Sequence, residues 1–136
     1  MGARFFKAAV IYFLIGLCFG VYMSSMQDFR FGSLHAHINL LGWASTALFG
    51  AIYSLYPRAG HHILAKWHFW LHNIGAPFFL LFLFFLLITG DVRFEWGIIP
   101  CAILIILGAV TLLVNVFMNV SDAKNETASN VRSQAL

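Results

Sequence analysis

The sequence predicts an all-α integral membrane protein with four transmembrane helices, and three observations predict it. Of 136 residues, 61% are hydrophobic and only 10% are charged, a balance outside that of water-soluble domains. Four apolar runs, at 6–26, 33–56, 63–89 and 97–119, each reach the roughly 20 residues that cross a bilayer core. The runs use the chain up to about residue 120, leaving one four-helix transmembrane domain, 1–120, and a polar tail, 121–136. That tail, "SDAKNETASNVRSQAL", is too poor in apolar residues to offset its ordering entropy and reads as a disordered cytoplasmic segment.

The first run follows Arg4 and Lys7 as a signal peptide would. Its apolar stretch continues through aromatic residues to Met26, however, with no A-x-A-like cleavage site after it, so it reads as a retained helix. "MGARFF" lacks the Ser or Thr of a myristoylation signal. Gly16 and Gly20, four apart, give this helix a close-approach face. Cys18 and Cys101 fall inside spans and read as small apolar side chains rather than a disulfide.

Arg4, Lys7, Arg58, Lys66, Lys124 and Arg132 fall on one side of the four runs, with Arg30 and Arg93 on the other. Basic residues in short loops stay on the cytoplasmic side, which puts both termini inside. This asymmetry accounts for the net charge of +3 and leaves no reason to invoke nucleic acid; the expected partner is the lipid bilayer. The sequons at Asn119 and Asn125 are then cytoplasmic and accidental.

The second run opens with "FGSLHAHINLLGW", residues 31 to 43. At 100° per residue, His35 and His37 point about 200° apart, so they serve opposite neighbours rather than one ion. Asn39 falls near His35; Leu41, Ala44 and Leu48 continue the His37 side; Gly42, Thr46 and Gly50 form a small-residue row. One histidine here reads as hydrated or bonded to free helix-end N–H groups. An H-x-H followed by Asn inside an apolar span reads instead as ligation, because a buried imidazole needs a partner. Zinc or copper wants three or four converging ligands, which diverging imidazoles on one helix do not supply. Haem needs one or two axial ligands and packs flat between helices, so a haem on each side would use each histidine once.

"LHAHINLLGWASTALFGAIYSLYP" resembles the second helix of a repeat in the haem–copper oxidase large subunit, its nitric-oxide-reductase-like branch included, and "HFWLHNIGAP" resembles the matching third helix. The resemblance covers four helices against twelve in that family, where three four-helix arcs stand in approximate threefold symmetry and an H-x-H serves two haems. It implies haem b, iron protoporphyrin IX, ligated by His35 and His37. It also implies a symmetric homotrimer that mimics the twelve-helix core, each iron lying between His35 of one chain and His37 of the next, a heterologous contact that cyclic symmetry closes.

The sequence departs from the family in lacking a convincing ligand set for a second metal; "GHH" at His61 and His62 lies in the opposite loop. The reading is therefore a bis-histidine b-type cytochrome for electron transfer or redox sensing in a respiratory membrane, the bacterial inner membrane, rather than an enzyme, with a quinone or a cytochrome as electron partner. Two alternatives stay open. One is a non-haem metal-binding, transport or oxidase-assembly subunit using His61, His62, His68 and His72. The other is a haem gas sensor or weak oxygen or nitric oxide reductase.

Further candidates surround the histidines. His68 and His72 share a helix face and read either as a metal pair or as packed, hydrogen-bonded core histidines. His72 lies about 13 Å from the inner edge, on the order of 10 Å short of the H-x-H, which makes it a candidate relay group with Asn73 beside it rather than a ligand. Arg30 and Arg93 stand in the outer loops as candidate partners of haem propionates, in competition with Asp28, Asp91 and Glu95. Trp43 is a candidate to pack on the macrocycle or in ordinary core. Pro77 is expected to kink the third span, and Asn115 and Asn119 to hydrogen-bond at the interface.

Overall fold

The computed structural model describes residues 1–120. The expected disorder of 121–136 lies outside the described residues. Helix α1 spans Gly2–Met26. The second span runs over Phe29–Leu55 as a 3₁₀ turn Phe29–Phe31, helix α2 Gly32–His37, a π-helical segment Ile38–Ala44 and helix α3 Ser45–Leu55. A short α4, Pro57–His61, connects it to α5, Ile63–Thr89; a 3₁₀ turn Val92–Phe94 leads into α6, Glu95–Asn119. Four helices are therefore long and apolar enough to cross a membrane. The first, second and fourth begin a few residues earlier than the apolar runs, because interfacial residues such as Arg4, Arg30 and Glu95 join the first turns.

The outer surface has the character of a lipid-facing one. Val21 is 67% exposed, Leu48 63% and Phe117 83%, values that leave large side chains without a protein partner and suit hydrocarbon rather than water. Trp96, near the start of α6, adds an interfacial aromatic. This is an integral membrane protein.

Two helix hairpins make the bundle. α1 packs along α2, the π segment and α3, while α5 and α6 form the other extensive pair. Met23, Phe31, Leu34, Ile38 and Leu80 join the hairpins at one end. Phe5, Tyr53, Ala59 and Ala65 join them at the other. At the first end each hairpin turns in the same way. Gln27, with φ 51°, closes α1, and Gly90, with φ 66°, closes α5. Asp28 and Asp91 then cap the 3₁₀ turns by accepting the backbone N–H of Arg30 and of Arg93.

The small residues expected to permit close approach do so, with a division of labour. Gly16 and Gly20 face the second span: a Cβ on Gly16 would lie 2.6 Å from Asn39 Oδ1, and one on Gly20 3.2 Å from His35 Cε1. Gly42 lies under the Tyr12 ring of α1, 2.5 Å from where its Cβ would stand, and Gly50 under Phe6. Thr46 leaves the expected common row and turns to His72 of α5 instead. α5 continues as one helix through Pro77, and α6 through Pro100.

Candidate functional site: two histidine pairs and a π-helical segment

The H-x-H sits on the last turn of α2, and the helix widens immediately after it. Asn39 Nδ2 donates to the His35 carbonyl at 2.9 Å, the acceptor that the Asn39 backbone N–H would use in an α-helix. Side-chain competition for a ladder acceptor loosens a helix locally. The next turn is π-helical, and at its end Ser45 N–H bonds the Leu40 carbonyl five residues back. Such segments concentrate at functional sites.

The two imidazoles diverge as their spacing requires. His37 Nδ1–H donates to the Ser33 carbonyl at 2.8 Å, and the ring meets Phe79 of α5 with centroids 5.4 Å apart. This bond fixes the tautomer that leaves the Nε2 lone pair available. A cavity of about 320 Å³ opens beside it, lined by Ala36, His37, Leu40, Leu41 and Ser45. All five belong to the second span, so a flat ligand held there needs its other wall from a second molecule. His35 turns the other way, over Gly20 of α1. Asn39 Nδ2 lies 3.4 Å from its Nδ1 and 3.3 Å from its Nε2. Near-equal distances to both ring nitrogens mean contact with the ring as a whole, and neither nitrogen is anchored as His37 Nδ1 is.

His68 and His72 are core residues, 0% and 2% exposed. His68 Nδ1 pairs with Tyr53 Oη at 2.9 Å, and His72 Nε2 with Thr46 Oγ1 at 3.1 Å. Thr46 Oγ1 also reaches the Leu41 carbonyl of the π segment, at 3.4 Å. Phe5 and Phe49 enclose His68, at centroid distances of 5.0 and 4.5 Å. From His72 to Phe79, which marks the level of His37, the chain makes two turns and about 10.5 Å of rise. His72 is thus far from the H-x-H, as its depth predicted, and it contacts the site through Thr46. Asn73 donates to its own helix, at the Phe69 carbonyl, and takes no part. Tyr53 and Thr46 are the partners that periodicity alone did not single out.

The remaining candidates settle on nearer partners. Arg30 is ion-paired with Asp28 at 2.6 Å, and Arg93 with Asp91 at 2.6 Å. The Arg30 side chain, and then its backbone N–H, hold the Asp28 carboxyl below its ordinary range; Arg93 acts on Asp91 in the same way. Both guanidiniums stand at the H-x-H end of the bundle, each already bonded to a carboxylate. Trp43 packs on Phe13 of α1, with centroids 4.8 Å apart. Asn115 is not interfacial: it is 0% exposed and donates to the Ala59 carbonyl at 3.0 Å, while accepting from Asn119 at 2.7 Å. His61 is exposed, and His62 Nδ1 accepts the Leu64 backbone N–H at the start of α5. Among the described residues no three His, Cys, Asp or Glu side chains come together as a metal site. Comparison with protein-family models, with curated proteins and with solved structures finds no match.

Proposed function

We propose that the protein is a membrane cytochrome that binds b-type haem through His35 and His37 and serves electron transfer or redox sensing. The observation that carries this reading is the state of His37. Its Nδ1 is tied to a backbone carbonyl, its Nε2 is free of hydrogen-bond partners among the described residues, and an apolar opening lies beside it. Ligating histidines characteristically donate their other ring nitrogen in this way, which orients the ring and raises its basicity. His35 supplies the second imidazole on the opposite flank, next to α1. Haem, when bound, would supply a one-electron couple at its iron.

What the chain contributes is orientation and exclusion of water. Ser33 holds one ligand ring; Leu40 and Leu41 offer apolar contact to a macrocycle; Asn39 stands where it touches His35 and steadies its ring. Because the opening at His37 is walled by one helix, a second copy completing it is the economical arrangement, and a cyclic trimer pairs each His37 with the next copy's His35. Were His35 and His37 of neighbouring copies both to hold the iron, they would leave small molecules no place on it, which favours electron transfer over oxygen or nitric oxide chemistry.

Protein purified in detergent tests the reading. The expected result is a reduced low-spin b-type spectrum, one haem per chain and a trimeric mass, with the band lost in His35→Ala and in His37→Ala. A folded, helical preparation that takes up no haem on reconstitution refutes the proposal. Carbon monoxide binding to the reduced wild type would shift the assignment to a gas-sensing or reductase role.

A further inference from the structure

The polar side chains around Tyr53 form a line toward the π segment, with a break at one histidine. Asn119 donates to Asn115, Asn115 lies beside the Tyr53 phenol, and Tyr53 pairs with His68 Nδ1. Beyond the break, His72 pairs with Thr46, and Thr46 reaches the Leu41 carbonyl in the π segment. The break is at His68 Nε2, which is buried with no hydrogen-bond partner among the described residues. Neither tautomer resolves this. If Nδ1 carries the proton, Nε2 is a bare lone pair; if Tyr53 donates to Nδ1, the Nε2–H lacks an acceptor. Either state is unfavourable in an apolar interior.

The surroundings of the ring show where a partner would enter. Phe5, Phe49 and Tyr53 cover it, and the His72 ring stands 6.0 Å away, centroid to centroid. On the side of α6 it meets Gly108, which has no side chain. A Cβ there would lie 3.6 Å from His68 Cδ2, the carbon bonded to Nε2, and 3.5 Å from His72 N and from Leu71 Cβ. These are ordinary contact distances, so the glycine leaves room for about one small group between α6 and the two histidines.

We propose that His68 Nε2 anchors an internal water site at Gly108, and that the water bridges His68 to the His72 ring. Two hydrogen bonds of about 2.9 Å each, meeting at one oxygen, span rings at this separation, and internal waters of this kind satisfy otherwise unpaired buried groups. The hydrogen-bonded line then runs unbroken from Tyr53 to the Leu41 carbonyl. It extends from Tyr53, in the core cluster around Phe5, to the segment that follows the H-x-H.

Gly108 makes the proposal testable with two substitutions. A helix-interior Gly→Ala change at ordinary contact distances normally stabilises. Here the added methyl displaces the water and strands Nε2, so Gly108→Ala is expected to lower the melting temperature by several degrees. Gly108→Ser, whose hydroxyl can replace the water's hydrogen bond, is expected to recover most of that loss. Wild-type protein with ¹⁵N-labelled imidazoles, reconstituted in bilayers, supplies an independent readout: a hydrogen-bonded His68 Nε2 with magnetisation transfer from water. A Gly108→Ala protein more stable than wild type overturns the proposal. So does a serine variant as unstable as the alanine one, which would mean simple crowding, or a His68 Nε2 signal without water contact.

Discussion

His35 and His37 stand two residues apart on one span, half-buried and facing opposite flanks of the bundle. His68 and His72 stand four apart on another, sealed between α3, α5 and α6 and paired with Tyr53 and Thr46. The same side chain thus serves two ends. Where spacing sends two rings in different directions, neither can satisfy the other, and each turns to a neighbouring helix or outward. Where spacing stacks them on one face, the bundle closes over both and supplies neutral hydrogen-bond partners. The proposed binding role belongs to the first pair because a nitrogen is left available at a surface; the second pair is part of the core.

The sharpest way to break this contrast is to exchange the losses. His37→Ala is expected to abolish haem binding altogether while changing folding stability by less than about 1 kcal/mol, since the ring is half-buried and packs mainly on Phe79. His68→Ala should do the reverse. Removing a fully buried ring leaves a cavity and a Tyr53 hydroxyl without its partner, a combined cost of about 2–4 kcal/mol, read as a fall in the thermal midpoint in detergent. Haem uptake by whatever folds should stay stoichiometric. If His68→Ala lost haem and kept its stability, the division between the pairs would be wrong.

A smaller effect tests the link between them. Thr46→Val keeps the side-chain shape but takes the hydroxyl from His72 and from the Leu41 carbonyl. Leaving a buried imidazole nitrogen unpaired should cost about 1–3 kcal/mol. Because Leu41 lies in the π segment and lines the opening at His37, the reduced haem spectrum should also shift slightly, whereas Tyr53→Phe, of similar cost, should leave it unchanged. Identical spectra for the two variants would confine Thr46 to a packing role.

Much of this was legible before the fold. Apolar run length marked four spans within a few residues of their ends, and rotation by 100° per residue separated His35 from His37 and put Asn39 against His35. Gly16 and Gly20 marked a close-approach face, which α1 turns to Asn39 and His35. Simple periodicity failed at the π segment. A side chain takes the backbone acceptor at its start, an event with no hydrophobic signature, and the turn of Thr46 to His72 of α5 left no trace in the spacing either. The role of Tyr53 and the burial of Asn115 were equally hidden. Their partners lie on other helices, and only the packing of α3 and α6 against α4 and α5 brings them together. Arg30 and Arg93 show the converse, a short-range preference deciding the outcome: an aspartate two residues away captures each guanidinium.

The two 3₁₀ turns at Asp28 and Asp91 give the smallest expected effect. The folded chain holds the Asp28 and Asp91 carboxyls below their ordinary value of 3.8. A depressed folded pKa contributes stability that is present above the unfolded pKa and is lost as pH falls through the folded one. The contribution is therefore constant from about pH 8 to about pH 5 and fades only below about pH 4. Both pairs are solvent-exposed, where ion pairs add little. Asp28→Asn and Asp91→Asn are accordingly expected to melt with the wild type across the neutral range and to differ from it only in how acid affects them. They also release Arg30 and Arg93. If Asp28→Asn raised haem affinity or moved the reduced band, the freed guanidinium would be reaching a carboxylate of the ligand, and the Asp28 turn would join the H-x-H as part of the binding site instead of merely closing the helix hairpin.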